Sequence, residues 1–222
     1  MGHSTKLLTP TQTVGDIFTN QLREDVSAKL TGVLAQASIG RIVLWGEWAM
    51  MYYGVPVWDN HMHLLVPDDQ LENAYKVLLA AGFKDSPPIL IPMVNSLDPN
   101  IRWEELGCPA YRVVGDLCHG KTPLKILIQN YSAAASTFDD ADPGSFEQCA
   151  GLAIPSLLLL GQSFLRTYFR LVSSKSKSRT RGMLRVWCAS VKLSGYSPLG
   201  VDAMRDVPGI DDAMALYWKR GY

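Results

Sequence analysis

One segment, residues 41–83, constrains the fold of this chain more than any other. It reads RIVLWGEWAMMYYGVPVWDNHMHLLVPDDQLENAYKVLLAAGF. The apolar run at residues 41–44 predicts a strand, a glycine breaks it, and residues 47–53 suit a short buried helix with a glycine cap. Residues 61–66 predict a second strand, and the apolar stripe of residues 71–81 predicts an amphipathic helix. We therefore expect strand, turn, short helix, strand and helix in that order.

The rest of the chain completes an α/β pattern. Further strands are predicted at residues 111–114 and 124–128, and helices are predicted at residues 14–37, 157–171, 183–193 and 211–217. The prediction is a mixed, twisted sheet of about five strands flanked by helices, with a helical C-terminal portion. We divide the chain into an α/β core, residues 1–150, and a helical extension packed on it, residues 151–222.

Composition narrows the functional classes. Lys+Arg and Asp+Glu both total 21, so the chain lacks the basic excess typical of nucleic-acid-binding proteins. No apolar run approaches the roughly 18 to 20 residues that a membrane span needs. Four cysteines without CxxC spacing, and an N-terminus without a secretory signal pattern, indicate a cytoplasmic protein. The sequence does not indicate the oligomeric state.

A motif follows the first predicted strand. Gly46-Glu47-Trp48-Ala49 forms the turn, and His61 and His63 lie two residues apart on the second predicted strand. The arrangement resembles the GGxA … RxTxDxD branch of the nucleotidyltransferase superfamily over about residues 42–128. In that branch, two aspartates on the second strand hold the magnesium ion that carries a nucleoside triphosphate. The resemblance implies a nucleotidyltransferase-like α/β fold.

The chain departs from that family at its functional positions. Glu47 places a carboxylate where the triphosphate would approach the turn, and Asp59 stands where the family commonly has threonine. His61 and His63 replace the two metal-binding aspartates, and Lys125 stands where a third carboxylate is expected. Magnesium prefers hard oxygen ligands, which imidazole and ammonium groups do not supply. Metal-dependent nucleotidyl transfer is therefore not expected, and no cofactor is predicted.

Residues i and i+2 of a strand share one face, so the side chains of His61 and His63 can act together. Three roles for this pair remain open. They form half of a transition-metal site, whose third ligand would be Glu47, Asp59 or His119. Alternatively, they act with Lys125 as acid–base or hydrogen-bonding groups on an uncharged small molecule, with Glu47 and Asp59 orienting the rings. In the third interpretation the two histidines are remnants of the ancestral site without a catalytic role, and the protein only binds a ligand or partner.

The same segment is rich in aromatic residues, which suits an apolar ligand. Trp48 and Trp58 flank the displaced motif positions and are predicted to be pocket walls. The predicted substrate-binding residues are Gly46, Trp48, Tyr52 and Trp58, and the predicted catalytic residues are His61, His63, Lys125, Glu47 and Asp59.

These observations favour a metal-independent, cofactor-free enzyme that acts on an apolar small molecule in a converted nucleotidyltransferase cleft. Cyclisation, including the Diels–Alder type, and isomerisation need no co-reactant. In its reuse of a small fold the chain is similar to enzymes of fungal secondary metabolism. The alternatives are a non-catalytic binding pseudoenzyme and an atypical nucleotidyltransferase. An apolar small molecule is the expected partner, and nucleic acid is not.

Overall fold

The computed structural model describes residues 24–55, 61–86, 103–115, 124–174 and 179–195. In these ranges the strands are β1 Val43–Trp45, β2 Met62–Val66, β3 Lys84–Asp85, β4 Ala110–Gly115, β5 Leu124–Asn130, β6 Phe146–Cys149 and β7 Leu152–Pro155. The helices are α1 Glu24–Gln36, α2 Gly46–Tyr52, α3 Leu71–Ala80, α4 Leu157–Ser173 and α5 Arg179–Gly195. The predicted α/β class is confirmed, but the described sheet has seven strands rather than five.

The strands form one mixed sheet in the order β3-β4-β5-β2-β1-β7-β6. β2 runs parallel to β5 and β1 parallel to β7, and the other neighbouring pairs are antiparallel. The additional strands are short: β3 has two residues, and β6 and β7 form a tight hairpin. Ala150 and Gly151 turn this hairpin with positive φ angles of 50° and 80°. β7 lies after residue 150, the boundary at which we divide the chain, and it pairs with β1 inside the sheet.

The strand registers give the sheet two chemically different faces, because alternate residues point to opposite sides. One face carries Met62 and Leu64 of β2 beside Ile126 and Ile128 of β5. α3 packs on this apolar face, where the ring of Tyr75 stacks on that of Tyr111 from β4 at 4.4 Å. This face of the sheet and α3 therefore form part of the hydrophobic core.

The opposite face carries a row of residues that pair across four strands: Trp45, His63, Leu127 and Arg112. Phe164 of α4 and Trp187 of α5 cover this row, and their rings contact that of Trp45 at 5.5 and 5.4 Å. Helices α4 and α5 thus close a sheet face that holds ionisable groups.

Helices α4 and α5 confirm the two helices predicted around residues 157–171 and 183–193. α4 begins after Ser156, whose hydroxyl accepts a hydrogen bond from the Leu159 amide at 3.3 Å. Within the described ranges, no helix is both long enough and apolar enough to cross a membrane. The predicted helix at residues 211–217 and the site residues Trp58, Asp59 and His119 lie outside the described residues.

Candidate functional site

The candidate site is the ionisable face of the sheet at the start of β2. His61 directly precedes β2 and His63 is its second residue, and their ring centroids are 6.3 Å apart. Met62 pairs with Ile126 in the parallel register, so Lys125 of β5 stands beside His61. Adjacent strands lie roughly 5 Å apart, and both side chains project to the same face. The structure thus brings together His61, His63 and Lys125.

His63 is enclosed by indole rings. Its ring centroid lies 4.7 Å from Trp103, 5.4 Å from Trp187 and 5.9 Å from Trp45, with each ring pair in edge-to-face geometry. Only 1% of the His63 surface is exposed. Trp45 is itself fixed, because its indole N–H donates to the hydroxyl of Ser163 on α4 at 2.8 Å. The imidazole of His63 therefore has a fixed position under an aromatic cover.

Gly46 permits this close packing. Its φ of +69° lies in the left-handed region, which begins α2 directly after β1. A Cβ atom at this position would lie 2.9 Å from Cη2 of Trp187 and 3.1 Å from Cδ2 of His63. The glycine is required here by both the backbone turn and the approach of the two rings.

His61 is buried without polar partners. It is 5% exposed, and in the described part of the chain neither of its ring nitrogens makes a hydrogen bond. Nδ1 of His63 and both amide atoms of the fully buried Gln129 also lack hydrogen bonds there. Buried polar atoms in proteins are almost always paired, and orphaned ones call for a bound water or ligand. Within the described part of the chain, this face therefore presents unpaired polar atoms that can bind water or a ligand.

Both histidines are neutral at pH 7. Burial, followed by the positive charges of Lys125 and Arg112, lowers the pKa of His61 from the ordinary 6.5 to about 4. Burial and then the neighbouring His61 hold the pKa of His63 well below its usual range. Gln129 approaches His63 without reaching hydrogen-bond geometry. It raises the pKa of His63, but burial and His61 lower that pKa by more. A neutral imidazole offers one N–H donor and one nitrogen acceptor.

Arg112 and Lys125 differ in how their charges are balanced. The guanidinium of Arg112 is buried and donates to both carboxylate oxygens of Glu104, at 2.5 and 3.3 Å. Lys125 is half-buried, and among the described residues no acidic side chain forms an ion pair with it. Within the described ranges, the charges that act on the pKa of His61 are both positive.

The other predicted site residues are placed as follows. Glu47 is buried in the first turn of α2, one residue after the glycine that touches His63, and Trp48 is buried on the same helix. The hydroxyl of Tyr52 donates to Glu147 at 2.5 Å on the edge strand β6, so it is directed away from β2. In the described ranges, no group of three His, Cys, Asp or Glu side chains is arranged to hold a metal ion.

Sequence reasoning missed four residues that build the site: Trp103, Arg112, Gln129 and Trp187. For Arg112 and Gln129 the sequence gives a weak indication. Arg112 lies in the predicted strand 111–114, and Gln129 directly follows the predicted strand 124–128. Trp103 sits on a single 3₁₀ turn, and Trp187 is on α5. Nothing local in the sequence links these two indoles to the histidines.

A separate pocket lies elsewhere, between α1 and the β6–β7 hairpin. It has a volume of about 720 Å³, and small residues such as Gly32, Ala35, Ala150 and Gly151 line it. Its lining includes none of the site residues predicted from the sequence.

Comparisons with known proteins give limited similarity. No protein-family model matches the chain, and no curated protein matches it significantly. Among solved structures, the chain is similar to Cid1 poly(U) polymerase, with 14% identity and a TM-score of 0.32. A structure of Cid1 in complex with the UTP analog UMPNPP gives 15% identity and a TM-score of 0.33. Each alignment covers 72% of this chain, but only 46% and 44% of the respective Cid1 chain. This chain therefore spans less than half of their length, and similarity at this level says nothing about its substrate.

Proposed function

We propose that this protein is a metal-independent enzyme that polarises a carbonyl group of an apolar small molecule. The reaction is a cyclisation, of the Diels–Alder type or related to it, or an isomerisation. Either reaction conserves every atom of the substrate, so it needs no co-reactant. The observation that carries the proposal is the neutral, buried imidazole of His61, whose two nitrogens have no hydrogen-bond partner among the described residues.

The roles of the side chains follow from their charges and positions. The N–H of His61 donates a hydrogen bond to the carbonyl oxygen, and the Lys125 ammonium beside it stabilises the negative charge that develops there. A donor already directed at the developing charge needs no reorganisation during the reaction. His63 fixes the aromatic wall, because its ring contacts three indoles. These rings are buried against one another, so the wall holds the neighbouring His61 in position for the substrate.

The alternative of nucleotidyl transfer is less consistent with these residues. Neutral imidazole and ammonium groups occupy the positions where the resemblance places the carboxylates that hold magnesium. A Mg²⁺-dependent reaction with a nucleoside triphosphate would replace the present proposal. Binding without turnover would indicate the non-catalytic alternative.

The test is product formation in the presence of EDTA. A panel of conjugated polyenones and dienones is incubated with the protein, and products isomeric with the substrates are sought by chromatography with mass spectrometry. We expect His61→Ala to lower the rate by about 10²- to 10³-fold, the range for loss of one hydrogen-bond donor to a developing oxyanion. Val186→Ala serves as the control, because Val186 is 51% exposed on α5 and its replacement should leave the rate unchanged.

Circular dichroism establishes that the variants are folded. A rate that His61→Ala does not change, or one that EDTA abolishes, would contradict the proposal. The more conservative His61→Asn provides a check if the alanine variant does not fold, since its side-chain amide can still donate one hydrogen bond. Partial recovery of the rate by His61→Asn is expected.

A further inference from the structure

We infer that the carbonyl group polarised in the proposed reaction belongs to a carboxylate, which binds between the ammonium of Lys125 and the imidazole of His61. This inference rests on the proposed function and specifies the class of its substrate. The site then recognises an organic acid with an apolar body rather than a neutral hydrocarbon-like ketone.

The charge balance of the face is the first argument. Arg112 is neutralised by its two hydrogen bonds to Glu104, whereas Lys125 has no ion pair among the described residues. Among the described residues, the charged groups that act on the pKa of His61 are Lys125 and Arg112, and both disfavour a positive imidazole. Burial, the largest cause, disfavours any charge, but these two positive charges favour an anion over a cation beside His61.

The count of hydrogen-bonding atoms is the second argument. Neutral His61 contributes one N–H donor from a nearly dry position, and Lys125 contributes three N–H donors from a half-buried one. A carboxylate has two oxygens with about four acceptor sites, so one oxygen can accept from His61 while the other accepts from Lys125. Such a ligand would pair a polar nitrogen that is otherwise orphaned in the described part of the chain.

The size of the charge favours a carboxylate over a phosphate monoester. A phosphate carries nearly two negative charges and three acceptor oxygens at pH 7. On the described part of this face, Lys125 is the cation without an ion pair, and Arg112 is already bound by the carboxylate of Glu104. One negative charge on the ligand is therefore balanced, and a second would remain buried without a partner, which is costly.

The experiment measures binding of three probes that share one alkyl chain: octanoate, octanamide and octyl phosphate. Isothermal titration calorimetry at pH 7.5 should show octanoate binding at least about tenfold more tightly than octanamide and octyl phosphate. Lys125→Gln should reduce the octanoate affinity to the level of octanamide. Lys76→Gln is the matched control: it removes the same charge from the exposed surface of α3, and the affinities should not change.

Nuclear magnetic resonance of the histidine rings gives an independent readout. Octanoate placed next to the His61 ring should raise the pKa of His61 by one unit or more, whereas octanamide should not, because only the anion favours the imidazolium form. His61→Gln provides the reference for assigning the resonance.

Several results would overturn the inference. They are equal affinity for octanoate and octanamide, octanoate binding that survives Lys125→Gln, tighter binding of octyl phosphate, and no binding of octanoate at millimolar concentration. If His61-dependent turnover of a neutral dienone is found alongside any of them, the proposed function stands and the carboxylate assignment alone fails.

Discussion

Gly46→Ala is expected to lower the free energy of unfolding by about 3 kcal/mol, since it combines two penalties. A residue with a side chain at a φ of +69° costs about 1–2 kcal/mol. The new methyl group would also lie 2.9 Å from Trp187 and 3.1 Å from His63, and overpacking of this kind costs about 1–3 kcal/mol. Urea denaturation followed by far-UV circular dichroism measures the sum.

Two other glycines separate the penalties. Gly107 has a φ of +77° with open space around its missing Cβ, so Gly107→Ala should incur only the backbone penalty of about 1–2 kcal/mol. Gly32 lies inside α1 with no atom within 4 Å of that position, and Gly32→Ala should stabilise the protein by up to about 1 kcal/mol. Equal effects of the Gly46 and Gly107 substitutions would contradict the close approach of Trp187 and His63 to the turn.

Acidification is expected to destabilise the protein steeply between pH 6.5 and pH 4. In the unfolded chain a histidine binds a proton near pH 6.5, whereas folded His61 does so only near pH 4. Between these values the unfolded state binds more protons, so the free energy of unfolding falls as the pH falls. A shift of this size corresponds to about 3 kcal/mol for His61, and the lowered pKa of His63 adds to it.

The measurement is the urea midpoint at intervals from pH 7.5 to pH 4.5. His61→Gln cannot be protonated in this range, so its stability should depend less strongly on pH even where its absolute stability is lower. The double substitution of His61 and His63 by glutamine should flatten the dependence further. A wild-type midpoint that is constant down to pH 5, or a dependence that both variants retain, would show that the histidines are not held neutral by burial.

The sequence was sufficient for the local part of this architecture. The apolar runs and glycines predicted β1, α2, β2 and α3 in order, because each of these elements carries its own periodicity. The spacing of His61 and His63 was enough to put them on one face of a strand. These inferences need only residues that are close in the chain.

The remaining residues of the site are brought together by contacts between segments that are far apart in the chain. Arg112 reaches the histidine row only because β4 pairs with β5 and β5 with β2, a register that no single segment specifies. Trp187 comes from a helix more than a hundred residues further along the chain. The hairpin β6–β7 escaped prediction because its outer strand is short and carries exposed polar residues, such as Glu147 and Gln148.

The indoles of Trp103 and Trp187 lie 5.3 Å apart and are nearly parallel, with 24° between their planes. Two chromophores this close share their excited states, and the coupling splits their absorption into bands of opposite rotational sign. The dichroism of the strong far-ultraviolet indole band consequently responds to whether α5 is seated over the sheet, and Trp45 contributes to it because its ring lies 5.4 Å from that of Trp187. Circular dichroism can therefore follow the docking of α5 on the sheet without an added label.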